Sequence, residues 1–236
     1  MTSTSRSLVT LVASVGLLCA SNAARGGVAE WMAAVAAGTP AGYTNSNLTA
    51  PIVADIGTYS EATGGGITYE FVVNATNDGA SSALIGTFEN PPPVGDRAAL
   101  KWEQWQDTLH YGATVFGVAD FDSGVTNTPG VDTHLAFVNN GTDTVLYVNG
   151  ALAGTIVGAS PTLSGTVGIG QAYNPVGDHL DPLTGTILGV AVYDAALSAA
   201  EIAAHNAAFL IPEPGSILLA GLALGVAISM APRRRT

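Results

Sequence analysis

The sequence predicts an all-β protein, an antiparallel jelly-roll β-sandwich, and three observations carry that prediction. Ile67-Thr68-Tyr69-Glu70-Phe71-Val72-Val73 alternates apolar and polar positions, the period-two mark of a strand with one buried face. Turn signals such as Asn77-Asp78-Gly79, Pro91-Pro92-Pro93, Asn140-Gly141 and Asn149-Gly150 separate runs of this kind, with no helical repeat between them. Glycine occupies 29 of 236 positions, as suits a fold built from many tight turns and bends.

Residues 1–24 are predicted to be a signal peptide. Arg6 precedes an apolar run from Leu8 to Ala20, and Ser21-Asn22-Ala23-Ala24 follows with the small residues that signal peptidase reads, placing cleavage after Ala23 or Ala24. The only cysteine, Cys19, lies in this leader, so the mature domain is expected to carry neither a disulfide nor a cysteine metal site. Leu18 before it is not small, which argues against lipid attachment there.

Residues 25–44 form a lead containing a short Ala-rich helix over Val28–Ala37, with Trp31 and Met32. The β domain is expected over 45–210. Beyond Ile67–Val73, strands are predicted at Ser82–Phe88, Ala98–Trp105, Gly112–Ala119, His134–Asn139, Thr144–Asn149, Ala153–Val157, Thr166–Gly170 and Thr186–Tyr193. Asn149-Gly150 suits a type I′ hairpin turn, because both residues tolerate positive φ. Ser198, with Glu201 three residues on, is a capping box, predicting a helix that runs to about Asn206 and is held by Ile202 and Phe209. Tyr147, Val192, Tyr193 and His134 are expected to be packed residues.

Residues 211–236 form a tripartite tail: Pro212-Glu213-Pro214, an apolar stretch from Ile217 to Met230, and Arg233-Arg234-Arg235. No charge interrupts Gly215 to Pro232, a run close to the ~20 residues a spanning helix needs. The arginines orient the far end to the cytoplasm, which puts the domain outside. With both ends set aside, three Lys/Arg face seventeen Asp/Glu, a net charge of −14. A field of that sign repels nucleic acid and attracts cations.

Chemistry-bearing spacings are sparse. Glu103 and Asp107 lie too far apart on an extended chain for a glycosidase pair, whose carboxyls stand roughly 5–9.5 Å apart. The four histidines show no zinc spacing, and neither a nucleophile elbow nor a phosphate loop is present. Two acidic segments are candidate calcium loops, Asp120-Phe121-Asp122-Ser123-Gly124 and Asp178-His179-Leu180-Asp181, since calcium takes six to eight oxygens from loops. Trp102, Trp105 and Tyr111 form a candidate sugar-stacking group. The two tryptophans are three apart and so point to opposite faces of a strand, leaving Trp105 with Tyr111 as the ligand-facing candidates.

Two resemblances add to this. Pro212-Glu213-Pro214, the apolar stretch and Arg233 to Arg235 resemble the PEP-CTERM sorting signal. This implies processing by an exosortase near the Pro-Glu-Pro element and export in a bacterium that makes exopolysaccharide or biofilm. His134-Leu135-Ala136-Phe137-Val138 and Val145-Leu146-Tyr147-Val148-Asn149-Gly150 resemble the hairpin of laminin G-like domains. So do Gly185 to Asp194 and Leu197 to Ile202, which match the closing strand and helix. That resemblance implies a concanavalin A-like sandwich binding extracellular polysaccharide or a surface protein, with one calcium at its rim. Leu188 and Gly189 stand where that family often has acidic residues, and the Glu-x-Asp-x-x-Glu strand of the fold's glucanases is absent. The expected role is therefore non-catalytic binding at the cell surface, with a glycan hydrolase or a passive matrix component as alternatives.

Overall fold

The computed structural model describes residues 27–48, 51–60, 65–89, 96–105 and 109–210. The processing and orienting residues Ala23, Ala24, Pro212, Glu213, Pro214, Arg233, Arg234 and Arg235 lie outside the described residues, as do Pro91-Pro92-Pro93 and Asp107.

Two sheets face each other. One has the order β1 (Tyr43–Leu48), β13 (Gly185–Tyr193), β3 (Ile67–Ala75), β8 (Thr133–Asn139), β9 (Thr144–Val148), β10 (Ala151–Ile156). The other runs β2 (Ile52–Asp55), β11 (Thr166–Ile169), β4 (Ser82–Thr87), β5 (Ala98–Glu103), β6 (His110–Val115), β7 (Ala119–Thr126). Every pairing along these two paths is antiparallel; the two-residue β12 (Ala172–Tyr173) adds in parallel to β4. Chain neighbours β1 and β2 fall in different sheets, and so do β10 and β11, as a sandwich with crossing connections requires.

The interior is filled by alternate residues of both sheets: Tyr69, Phe71 and Val73 from β3, Leu100 and Trp102 from β5, Tyr111 and Ala113 from β6. Asn149 and Gly150 have φ of 50° and 77°, and Val148 pairs Ala151 directly across them, the two-residue hairpin the sequence predicts.

Helices α1 (Val28–Ala37) and α2 (Ala199–Phe209) lie on the outer face of the first sheet. The capping box is present: Glu201 N–H donates to Ser198 Oγ at 3.3 Å, and Ser198 N–H donates to Glu201 Oε2 at 2.9 Å. The helix continues one turn past Asn206, because Phe209 extends its buried face. Trp31, Val35, Ile202 and Phe209 pack with Val72, Ala191 and Tyr193 as a second apolar layer. This changes the reading of β3. Its alternation predicts one wet face, but both faces are buried, because the helices cover the polar one.

Four strands were absent from the sequence reading: β1, β2, β7 and β12. The most consequential is β7. The Asp120–Gly124 segment expected as a loop is a strand paired to β6, with Gly112 opposite Asp122 and Thr114 opposite Asp120. Gly124, at φ 67°, marks a local bend toward the end of β7 rather than a calcium-loop turn. Among the described residues no helix is long and apolar enough to cross a membrane.

Candidate functional site

The outer face of the second sheet carries the strongest candidate. Along β5, Ala98, Leu100 and Trp102 enter the core, so Ala99, Lys101 and Glu103 face outward. The register then sets two outward rows. Ala83, Lys101, Gly112 and Asp122 align across β4, β5, β6 and β7; beside them run Ala99, Thr114 and Asp120. Lys101, Thr114 and Asp120 of these rows line a depression of about 430 Å³, while Ala83 and Ala99 pack with Ala172, Phe116 and Leu180 beside it. Its walls are the β6–β7 turn with Phe116 and Val118, the end of β5 at Trp105, and Leu180-Asp181 from the connection between β12 and β13.

Lys101, the only lysine in the chain, is the floor of this depression and is 1% exposed. It contacts the Asp181 carboxylate, donates to Ser81 Oγ at 2.9 Å, and lies 5.6 Å from the centre of the Phe116 ring. Burial pushes its ammonium below the ordinary lysine range, outweighing the opposing pull of Asp181 and Asp120. Asp181 takes a left-handed φ of 51°, and its carbonyl accepts from Ala83 N–H at 2.8 Å, which fixes the loop against β4. Asp120 accepts from Thr114 Oγ1 at 2.6 Å across the strand pair. Trp105 stands at the rim, 64% exposed.

The predicted residues are thus partly regrouped. Asp120 and Asp181, assigned to separate calcium loops, line one depression around Lys101. Asp122 is instead 3.1 Å from His110 Nδ1 and accepts from Gly124 N–H at 2.9 Å. Asp178 contributes only its carbonyl, to Asn174 Nδ2. Among the described residues no three His, Cys, Asp or Glu side chains assemble as a metal group. Trp102 and Trp105 do point to opposite faces, one fully buried and the other at the rim. Tyr111, expected beside Trp105, is a core ring: it is fully buried, edge-on to Trp102 with centroids 5.4 Å apart, and burial pushes its hydroxyl up to about 12.

Lys101 and Thr114 were missed. The available signal was one lysine at an outward position between Leu100 and Trp102, in a domain otherwise nearly without cations.

A second polar cluster lies under the helices. Glu70 of β3 is fully buried and accepts from His134 Nε2 at 2.7 Å, His205 Nδ1 at 3.0 Å and Tyr193 hydroxyl at 2.9 Å. Burial alone raises a carboxyl; these donors and the charge of the histidines outweigh it, and Glu70 sits below its usual range. For His205, burial lowers and Glu70 raises, and the net is upward. This cluster has no opening to solvent. It joins helix to sheet.

No curated protein matches the chain. Among solved structures it is similar to domain 4 of AbnA, an extracellular GH43 arabinanase from Geobacillus stearothermophilus, in complex with arabinotriose. That match has 15% identity and TM-score 0.47, covering 60% of this chain and 66% of that one. A Trypanosoma rangeli sialidase matches at 17% identity and TM-score 0.45, over 70% of this chain; the chain spans 27% of its length. The CBM40 of a Ruminococcus gnavus sialidase, bound to α2,3-sialyllactose, matches at 16% identity and TM-score 0.48, over 70% of this chain and 98% of that one. The family model for the concanavalin A-like lectin/glucanases superfamily matches residues 44–203, most of the chain, and the two antiparallel sheets are the architecture it describes. The chain belongs to the concanavalin A-like lectin/glucanases superfamily.

Proposed function

We propose that the chain is an exported, non-catalytic surface protein whose sandwich binds carbohydrate in the depression beneath Trp105. The observation that supports this most is the pairing of an exposed indole with polar groups on the wall and floor of the depression, Thr114, Asp120 and Asp181. A pyranose ring has an apolar face that stacks on an aromatic side chain and a rim of hydroxyls that needs fixed donors and acceptors. The depression supplies both and is of the size of small-ligand sites. Membership of a lectin/glucanase family agrees with a glycan ligand.

The reading of the ends complements this. A leader cleaved after Ala23 or Ala24 would export the domain, and the Pro212-Glu213-Pro214 tail with Arg233 to Arg235 would hold it at the membrane for an exosortase. The partners are then the two processing enzymes and extracellular polysaccharide, and the reading uses no resident metal.

One observation favours a hydrolase: two carboxylates, Asp120 and Asp181, line the same depression. Each is already engaged, Asp181 by the Lys101 ammonium and Asp120 by the Thr114 hydroxyl, which is the arrangement of a polar floor rather than of a free acid and a free nucleophile. The experiment is a glycan panel read for both binding and reducing-sugar release with the wild-type chain, Trp105→Ala and Asp120→Asn. The proposal expects binding without release, weakened in Trp105→Ala. Release that Asp120→Asn abolishes would replace it with the hydrolase, and no binding to any glycan would leave a passive matrix component.

A further inference from the structure

The Lys101–Asp181 pair has a geometry that a solvated ion pair does not. The lysine comes from β5, in the middle of its sheet, and the aspartate from the connection 80 residues on. The ammonium is walled off by Ser81 and the Phe116 ring. The carboxyl is delivered by a main chain already tied to β4 through Ala83, so neither partner searches for the other. Asp120 lies in the neighbouring row and lines the same depression. The lysine is buried and the aspartate half-buried, and the loss of hydration offsets much of their attraction.

We propose that Lys101 Nζ and Asp181 Cγ condense to an intramolecular amide, with Asp120 as the proton relay. A proton passes from Nζ to the Asp181 carboxylate, giving a neutral amine and a neutral acid. The Nζ lone pair attacks Cγ and forms the C–N bond. Asp120 accepts the proton that nitrogen then sheds and returns it to the departing hydroxyl. The C–O bond breaks and one water leaves, so no oxidant or co-reactant is required. In free solution this condensation runs uphill. Here the held geometry supplies an effective concentration on the order of 10⁵–10⁸ M, and a neutral amide replaces an ion pair whose lysine is buried. The downward pull of burial on Lys101 favours the amine form that attacks. The bond would staple the β12–β13 connection to the central strand of a domain that reads as lacking any disulfide.

The test is intact-mass and peptide-mass measurement on the folded full chain in detergent. The amide predicts a mass one water below that of the same processed chain, no tryptic cut after Lys101, and a branched peptide joining Lys101 to Asp181. Lys101→Arg and Asp120→Asn, checked for folding by circular dichroism, should each keep the water. A wild-type chain of full mass that trypsin cuts at Lys101 after denaturation would overturn the proposal, as would a missing water mapped to another residue. Loss of the water in Asp120→Asn would overturn the relay. Glycan binding read on the same sample fails or succeeds separately, because Trp105, Thr114 and Asp120 stay in place whether or not the amide forms.

Discussion

Single positions set what the two outer faces can do. Gly189 is one of them: a Cβ there would stand 2.5 Å from the Trp31 ring, and the indole is fully buried. Gly189→Ala is expected to cost about 1–3 kcal/mol by overpacking, read as a lowered melting temperature. An unchanged melt would show that Trp31 moves freely. Leu188-Gly189 differs from the acidic pattern of laminin G-like domains, and the structure supplies a local reason: the space is used for helix packing. Glu70 is the other such position. Removing one partner of a buried pair leaves the rest uncompensated, so Glu70→Ala is expected to cost about 3–5 kcal/mol. Such residues were hard to recognise in advance. Glu70 occupies the polar phase of an alternating strand, where a solvated glutamate would also sit, and only the helices overhead distinguish the two. Lys101 was equally hidden, because a pairing 80 residues away leaves no local pattern.

Among the elements, those with local signals were the legible ones. Helix α2 announced itself through Ser198 and Glu201, and the β9–β10 hairpin through Asn149-Gly150, because caps and turns are written within a few residues. Strand β7 was not legible: Asp, Ser and Gly are poor strand formers, and it exists because β6 supplies its ladder on one side. The helical layer carries a pH dependence. Glu70 is shifted down from 4.5, so its contribution is complete above about that pH and is lost as pH falls through the lowered value. His205 is shifted up from 6.5, so its contribution is complete below about that pH and is lost as pH rises through the raised value. Stability from this cluster should therefore peak between about pH 4.5 and 6.5. Melting temperature across pH checks it, and Glu70→Ala should flatten the curve. A wild-type optimum on the alkaline side would contradict the assignment.

At the scale of the whole molecule, the sandwich was predictable because period-two alternation and frequent turns leave few other packings. The assembly of the depression was not. It draws on β5, β6, β7, Ser81 ahead of β4 and the β12–β13 connection, and no sequence spacing predicts that Asp120 and Asp181 would line one depression. Asp181 is held by Lys101, Asp120 by Thr114 and Asp122 beside His110, so a cation would have to displace these partners and EDTA is expected to leave the melting temperature unchanged. A fall that calcium reverses would contradict this. Replacing Pro212-Glu213-Pro214 with alanines should stop tail processing, seen as an increased mature mass; an unchanged mass would remove the exosortase from the proposal.

Carbohydrate stacking on Trp105 is the claim on which the functional reading rests, and the chain carries its own probe for it. Of its three tryptophans, Trp31 and Trp102 are fully buried and Trp105 alone is exposed. Solvent quenching of tryptophan fluorescence therefore reports on the rim of the depression. A glycan that binds should shield this fluorescence from the quencher, and Trp105→Phe should remove both the quenchable signal and its protection. A glycan that binds with equal affinity while the quenching stays unchanged would place the ligand elsewhere and contradict the account.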